Sequence, residues 1–140
     1  MNGALLIDTC ALIWLATAES DAKLGVIEDA LARARAAGAP ILVSPISAWE
    51  IGMLAAKGRL PMAMSPRAWI DQLLALSGLK WAQMPIDVLL NSSALPDSPH
   101  GDPADRIIIA TAREYGLRVV TRDQKILDYA EKGHVMALAC

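Results

Sequence analysis

The chain has 140 residues, of which 54% are hydrophobic and 20% charged, and its formal net charge is −2 at pH 7. This length suits a single domain, residues 1–140, which can bury a core without disulfides. The small net charge excludes a basic field over the whole surface as a means of binding nucleic acid, and the high apolar content indicates that some surface contacts a partner.

Short apolar runs alternate with helical patterns along the whole chain. In chain order we expect a strand at 4–8, helices at 11–18 and 22–38, a strand at 39–44, helices at 46–58 and 65–78, a strand at 79–85, helices at 86–95 and 103–115, a strand at 117–121, a helix at 122–133 and a strand at 134–139. Uninterrupted apolar strands separated by helices are typical of a parallel sheet covered on both faces. The sequence therefore predicts an α/β fold.

The stretch HGDPADRIIIATAREYG, residues 100–116, places two acids at the start of an apolar helix. Asp102 is expected to cap this helix, Pro103 to begin it and Gly116 to end it. Asp105 then lies in the first turn, where the helix dipole favours negative charge. Because one cap is enough, Asp105 is available for another role.

Four acids from separate segments are expected at the carboxyl edge of the sheet, where open α/β folds bind their ligands. Asp8 ends the first strand, Asp123 follows a later strand, and Asp105 and Glu50 lie on helices that start at this edge. The three aspartates can each be explained as structural residues. Glu50, a lone charge on a long apolar helix, is costly to bury without a partner.

Carboxylates held together repel one another unless a cation offsets their charge. Mg²⁺ prefers oxygen ligands, and two such ions roughly 3.5–4 Å apart stabilise the attacking and leaving oxygens of a phosphate ester. The His and Cys residues lack the spacing of zinc ligands. We therefore expect a Mg²⁺ (or Mn²⁺) site at this edge of the sheet.

Several other classes of protein fit the sequence poorly. No phosphate-binding loop of the G-x-x-x-x-G-K-S/T type is present, which argues against a nucleotide hydrolase. A haloacid-dehalogenase-type phosphatase needs a second Asp where Cys10 stands, and a response-regulator receiver needs an adjacent acidic pair at Asp8. His100 and His134 have no neighbours that suggest a general acid–base pair.

The two cysteines, Cys10 and Cys140, provide neither a disulfide framework nor a metal motif. Free thiols fit a reducing compartment, so we expect a cytoplasmic protein. The segment MNGALLID lacks the basic region of a signal peptide. No apolar run reaches the roughly 18 residues of a membrane span, so we expect no membrane association.

The segments LLIDTCALIWL, ILVSPISAWEIGMLAAKGRL and HGDPADRIIIATAREYGLRVVTRD together resemble the PIN-domain family, and within it the VapC-type toxins of bacterial toxin–antitoxin pairs. The resemblance extends over nearly the whole chain. It implies a three-layer α/β/α fold with a central parallel sheet and a metal-dependent ribonuclease that cleaves cellular RNA such as tRNA or rRNA. It also implies a homodimer that a cognate VapB-type antitoxin holds inactive.

The resemblance assigns the catalytic and metal-binding site to four acids: Asp8, Glu50, Asp105 and Asp123. Thr121 matches the small hydroxyl residue that precedes the last acid and orients it. Thr9 either does the same for the first acid or acts as a cap. Asp102 is a candidate auxiliary acid, although capping comes first, and Arg106 contacts either phosphate or a neighbouring acid.

The basic residues near these motifs form either a rim for RNA or ordinary solvated charge: Lys57, Arg59, Arg122 and Lys125. The four tryptophans offer stacking surfaces, but each lies in an apolar run, which favours a place in the core or an interface. A competing hypothesis is a PIN-like protein that has lost catalysis and only binds a partner. The presence of all four acids argues against it.

Overall fold

The structure is a computed structural model that describes residues 3–17, 24–97, 99 and 101–140. Its elements in chain order are β1 Leu5–Ile7, α1 Thr9–Thr17, α2 Leu24–Ala36, β2 Ile41–Val43, α3 Pro45–Ala56, α4 Pro66–Ser77, β3 Lys80–Trp81, α5 Ile86–Ser92, α6 Pro103–Tyr115, β4 Arg118–Thr121, α7 Gln124–Glu131 and β5 Met136–Ala139. No helix in these described segments is both long and apolar enough to cross a lipid bilayer.

The five strands form one parallel sheet in the order β3-β2-β1-β4-β5. The central strand, β1, pairs with β2 on one side and with β4 on the other, so that Leu6 lies opposite both Leu42 and Val119. The chain extends the sheet first in one direction from β1 and later in the other. The carboxyl ends of β1 and β4 therefore flank the topological switch point, where sheets of this kind bind ligands.

Two apolar clusters, one on each face of the sheet, give the molecule three layers. Strand side chains alternate between them, since Leu5 and Ile7 pack with α1, α2, α3 and α4, whereas Leu6 packs with α5, α6 and α7. All three of these strand residues are almost completely buried. Burial on both faces explains why the central strand β1 is an uninterrupted apolar run. The three layers confirm the predicted α/β/α fold with a central parallel sheet.

The predicted helix starts are confirmed where a cap residue precedes a proline. The Ser44 and Ser65 hydroxyls accept the Ile46 and Ala68 N–H groups at the starts of α3 and α4. At the end of α6, Gly116 adopts the left-handed φ of 65° that favours glycine.

Other predicted boundaries are wrong by a few residues. Helix α1 begins at Thr9 rather than at residue 11, because Asp8 caps it directly. Strand β3 is only two residues long, at Lys80–Trp81, and α5 ends at Ser92 rather than at residue 95. The predicted helix ends at 18 and at 22–23, and His100, lie outside the described residues.

Candidate active site

The Asp8 side chain is the deepest part of the site. It follows β1 and is only 2% exposed. One carboxylate oxygen accepts the Ala11 N–H at 2.7 Å, and the other accepts the Thr121 hydroxyl. Asp8 thus caps α1, as one interpretation of the sequence proposed, while its second oxygen is held from the neighbouring strand β4.

Thr121 connects two of the predicted acids. Its buried hydroxyl donates to Asp8 and also accepts the Asp123 N–H at 2.9 Å. The Asp123 carboxylate in turn accepts the Lys125 N–H at 2.9 Å and caps α7. Thr121 therefore orients the side chain of Asp8 as well as the backbone of Asp123. The sequence predicted only that it orients Asp123.

Glu50 is held from α1, across the site. The Thr9 hydroxyl donates to a Glu50 carboxylate oxygen at 2.5 Å and lies 2.7 Å from the Ser47 hydroxyl. The sequence predicted that Thr9 orients Asp8 or acts as a cap, whereas in the structure its carboxylate partner is Glu50. Ser47, to which the sequence pattern assigned no role, is completely buried one turn before Glu50. The signal in the sequence is a serine one helical turn before a lone acid on an otherwise apolar helix.

Helix α6 brings the remaining acids to the same edge. Asp102 is the N-cap, and one of its carboxylate oxygens accepts the Ala104 and Asp105 N–H groups at 2.9 and 3.2 Å. Asp105 is half-buried in the first turn. The Arg106 guanidinium donates to the Ser92 and Pro99 carbonyls, so it ties α6 to the preceding connection.

Burial and repulsion by neighbouring acids raise the pKa values of three acids, Asp8, Glu50 and Asp105. Burial raises the pKa of Asp8 to about 6 against the hydrogen bonds from Thr121 and Ala11, with the charges of Asp123 and Glu50 adding to the rise. Burial also raises the pKa of Asp105 to about 7, and the charges of Asp102 and the other three site acids raise it further. The pKa of Glu50 rises through burial as well. The charges of all four predicted acids therefore contribute to the electrostatics of the same site.

Cys10 is exposed beside the acids. Although the residue is exposed, partial burial of its sulfur raises the pKa of the Cys10 thiol to about 11, and the negative charges of Asp8, Asp105, Glu50 and Asp123 add to the rise. The thiol is therefore neutral at physiological pH and adds no charge to the site. The sequence pattern alone gives Cys10 no role.

The donor atoms of the site suit a hard divalent cation. Carboxylate oxygens are the preferred ligands of Mg²⁺ and Mn²⁺, and a cation relieves the repulsion and burial that raise the pKa values. In the described segments, no three His, Cys, Asp or Glu side chains already stand close enough to form a complete metal-binding group. A cation would have to draw the carboxylates together as it binds.

Comparison with known proteins identifies the family. The chain matches the family model of the PIN domain over residues 5–132. The chain belongs to the PIN domain family. It is also 37% identical, over 86 residues, to Ribonuclease VapC22 of Mycobacterium tuberculosis (strain ATCC 25618 / H37Rv). That alignment covers 61% of this chain and 65% of the relative, so just under two thirds of the relative's length is matched.

Two solved structures share the architecture of this PIN domain. The VapBC2 complex of Rickettsia felis, bound to a DNA fragment from its promoter, superimposes with a TM-score of 0.71 at 12% identity and 98% coverage of both chains. A toxin–antitoxin complex from Klebsiella pneumoniae superimposes with a TM-score of 0.57 at 26% identity, covering 87% of this chain and 88% of that one. The first likeness supports the fold alone.

Proposed function

We propose that this PIN domain is a VapC-type toxin, a metal-dependent endoribonuclease that cleaves cellular RNA such as tRNA or rRNA in the cytoplasm. The observation that carries the proposal is the cluster of four acids at the switch point of the sheet, with the pKa values of Asp8 and Asp105 raised to about 6 and about 7. Acids that are buried or half-buried beside one another are costly without a cation, and pKa values perturbed in this way are typical of functional sites. The 37% identity to a ribonuclease supports the same activity.

The metal would be held by Asp8 and Asp105, with Asp123 and Glu50 nearby. When bound, Mg²⁺ or Mn²⁺ lowers the pKa of water and stabilises charge on the phosphate. The chain's own groups hold the ligands in place. Thr121 and the Ala11 N–H fix Asp8, and Thr9 fixes Glu50.

Titration calorimetry with Mn²⁺ tests the metal site without relying on activity. The wild-type protein should bind the ion, and Asp8→Asn should bind it at least about ten-fold more weakly, because it loses a central charged ligand. Asp128→Asn is the matched control, since Asp128 is exposed on α7 and accepts the Gln124 side-chain amide. Equal affinity in wild type and Asp8→Asn would refute the assignment.

The chemistry predicts the ends of the RNA products. If water attacks the phosphorus, the products carry a 5′-phosphate and a 3′-hydroxyl, and a chelator stops the reaction. Attack by the RNA 2′-hydroxyl would instead leave a 2′,3′-cyclic phosphate. Mapping the ends after cleavage of total RNA distinguishes the two. If the protein binds RNA in the presence of Mn²⁺ but does not cleave it, the result would favour the alternative of a catalytically inactive PIN-like binding protein.

We also propose a homodimer that is silenced by a VapB-type antitoxin. On one face of α5, Ile86, Leu89 and Leu90 are 72%, 39% and 65% exposed, at the spacing of adjacent turns. We assign the contact with a second copy to this face. Leu90→Glu should give a monomer in analytical ultracentrifugation, whereas Leu76→Glu, at an exposed leucine of α4, should leave the dimer intact.

A further inference from the structure

One positively charged side chain beside the site, that of Arg122, contacts an aromatic ring. The Arg122 guanidinium lies 4.0 Å from the centre of the Trp14 ring. Arg122 is exposed, whereas Trp14 is half-buried on α1 and packs against the core cluster beneath it. A guanidinium stacked on a ring anchored in this way loses little further freedom when it binds a ligand.

Arg122 directly follows β4, at the carboxyl edge of the sheet where the four acids lie. It stands between Thr121, which donates to Asp8, and Asp123, which is itself one of the four acids. The Cys140 N–H donates to the Thr121 carbonyl at 3.1 Å, so the end of β5 lies on the same side. The pKa of the Cys140 thiol agrees with this placement, because burial and the charge of Asp8 raise it while Arg122 lowers it.

The stacking leaves the hydrogen-bond donors of Arg122 available. A ring face offers no lone pair to an N–H donor, so the contact with Trp14 leaves the five N–H groups of the guanidinium for a ligand. Among the described residues, no carboxylate lies within ion-pair distance of Arg122. Arg106 differs, because its guanidinium donates to two backbone carbonyls.

We propose that Arg122, stacked on Trp14, binds a phosphate of the RNA strand beside the four acids. This inference rests on the proposed ribonuclease function. Acids repel an RNA backbone, so the substrate needs a nearby cation that does not neutralise the acids themselves. The planar edge of Arg122 can donate two parallel hydrogen bonds to phosphate oxygens. Arg122 is thus a substrate-positioning residue.

The test measures RNA binding in an Asp8→Asn background, which prevents cleavage. The probe is a short, fluorescein-labelled single-stranded RNA of mixed sequence, followed by anisotropy over a range of salt concentrations. Arg122→Gln should weaken binding about ten-fold, since it removes charge-assisted hydrogen bonds. The slope of log affinity against log salt should become shallower by about 0.7, the value for one phosphate contact to a single strand.

Arg118→Gln is the matched control. Arg118 is an exposed arginine at the start of β4, whereas Arg122 directly follows the end of that strand. The substitution therefore removes the same charge at the opposite end of β4, away from the acids. It should leave affinity and slope close to those of the background protein. Equal affinities and equal slopes for Arg122→Gln and Arg118→Gln would overturn the proposal.

Trp14→Leu tests the stacking separately from the charge. It should weaken RNA binding several-fold although every cation is kept, and binding equal to the background would overturn the role of the ring. Trp14→Tyr, which keeps an aromatic face, should retain most of the affinity for RNA. If thermal unfolding shows that Trp14→Leu does not fold, Trp14→Tyr takes its place as the test of the ring.

Cleavage kinetics separate this inference from the proposed function. In the otherwise wild-type enzyme, Arg122→Gln should raise KM with little change in kcat, as expected for loss of uniform substrate binding. Cleavage by wild type with an unchanged KM in Arg122→Gln would refute the role of Arg122 alone. Absence of both RNA cleavage and RNA binding in the wild-type protein would refute the proposed function and the inference together.

Discussion

A buried carboxylate that meets only neutral donors keeps its proton more readily than one in water. Asp8 is in this position, because the groups that bond to it are a backbone N–H and a hydroxyl. Asp105 is less buried, but it faces more acids. Both have pKa values raised from the ordinary value of 3.8, to about 6 and about 7.

The metal-free protein should therefore lose stability as the pH rises from about 4 to about 7. In this window the folded state binds more protons than the unfolded state, so the free energy of unfolding falls with increasing pH. Below about pH 4 both carboxyl groups are protonated in the folded and in the unfolded state. Above about pH 7 both are ionised, so the folded state carries the full cost of burying and crowding their charges. Thermal unfolding with a chelator should give a midpoint several degrees lower at pH 8 than at pH 5.

Two controls make this pH dependence specific. Asp105→Asn removes one titrating group, so its stability should vary less with pH while RNA cleavage is lost. Adding Mn²⁺ at pH 8 should raise the midpoint of the wild type, because a ligand that binds only the folded state stabilises it. A wild-type midpoint that is higher at pH 8 than at pH 5 in chelator would contradict the assigned shifts.

The Thr9 hydroxyl provides a second prediction at the residue scale. Thr9→Val keeps the shape of the side chain but removes the bond to Glu50 and leaves Ser47 without its partner. We expect a 10- to 100-fold loss of metal affinity or activity, the usual range for a residue that orients a ligand, and about 1 kcal/mol of stability.

Thr17→Val is the control for Thr9→Val. Thr17 lies at the other end of α1, and its hydroxyl donates to the Ile13 carbonyl. Activity of Thr17→Val should equal that of the wild type. If both variants lose activity equally, the loss comes from α1 as a helix rather than from the contact with Glu50.

The acids of the site could be predicted from the sequence, but the hydroxyl groups that hydrogen-bond to them could not be matched to their partners in full. Asp8 and Asp123 follow apolar strands and Asp105 starts a capped helix, and these are local patterns. The bond between Thr9 and Glu50 joins residues 41 positions apart, and the bond between Thr121 and Asp8 spans 113. Such partners depend on how the layers pack, which no local spacing encodes.

At the scale of elements, predictability follows burial and capping. The mostly buried strands β1, β2 and β4 each contain two or three consecutive apolar residues, so their existence is evident. The edge strand β3 has only Lys80 and Trp81, both exposed, and one of them is charged. A strand paired on one side and open to solvent lacks the continuous apolar signal, so its predicted limits are wrong.

Helix α6 allows the two proposed roles of Asp102 to be separated. Asp102→Ala removes the cap and should cost about 1 kcal/mol of stability, whereas Asp102→Asn keeps a capping oxygen and should be nearly neutral. Denaturant unfolding measures the difference. If Asp102 is only a cap, Asp102→Asn should also cleave RNA at nearly the wild-type rate.

An auxiliary acid would behave differently. Asp102→Asn would then lose activity to the extent that Asp105→Asn does, despite its normal stability. The charge of Asp102 raises the pKa of Asp105, so Asp102→Asn should in addition move the acidic limb of the pH–rate profile to lower pH. An unchanged profile would contradict the coupling between these two acids.

Across the whole molecule, charge and apolar surface are unevenly distributed. The net charge is only −2, but four acids meet at one edge of the sheet. On the side of α3 there is a cavity of about 460 Å³, which we call the α3 groove, lined mainly by small and apolar residues: Gly52, Ala55, Ala56, Gly58, Leu60, Pro61, Met62, Met64 and Pro66. The same helix carries Glu50 and an exposed tryptophan, Trp49. Electronegative and apolar surfaces thus share one element.

The proposed antitoxin should use both surfaces. An amphipathic helix can place its apolar side chains in the α3 groove, and a basic residue beside it can reach the acids. Arginine fits better than lysine, because its planar fork pairs with carboxylates through two hydrogen bonds. Such an arginine would take the place of the cation and neutralise the same repulsion that raises the pKa of Asp105.

If apolar residues of the antitoxin provide binding and basic residues provide inhibition, then mutations should affect the two properties separately. Replacing the antitoxin's basic residues near the site by Ala should restore RNA cleavage in the complex, while the complex stays assembled, since apolar anchors supply most of the binding energy. Met62→Glu in the α3 groove should do the opposite and weaken assembly at least about ten-fold. Calorimetry measures assembly, and product formation from total RNA measures inhibition. If the antitoxin without its basic residues binds as tightly and still abolishes cleavage, occlusion of the site by the bound helix must account for silencing, and the acids play no part in it.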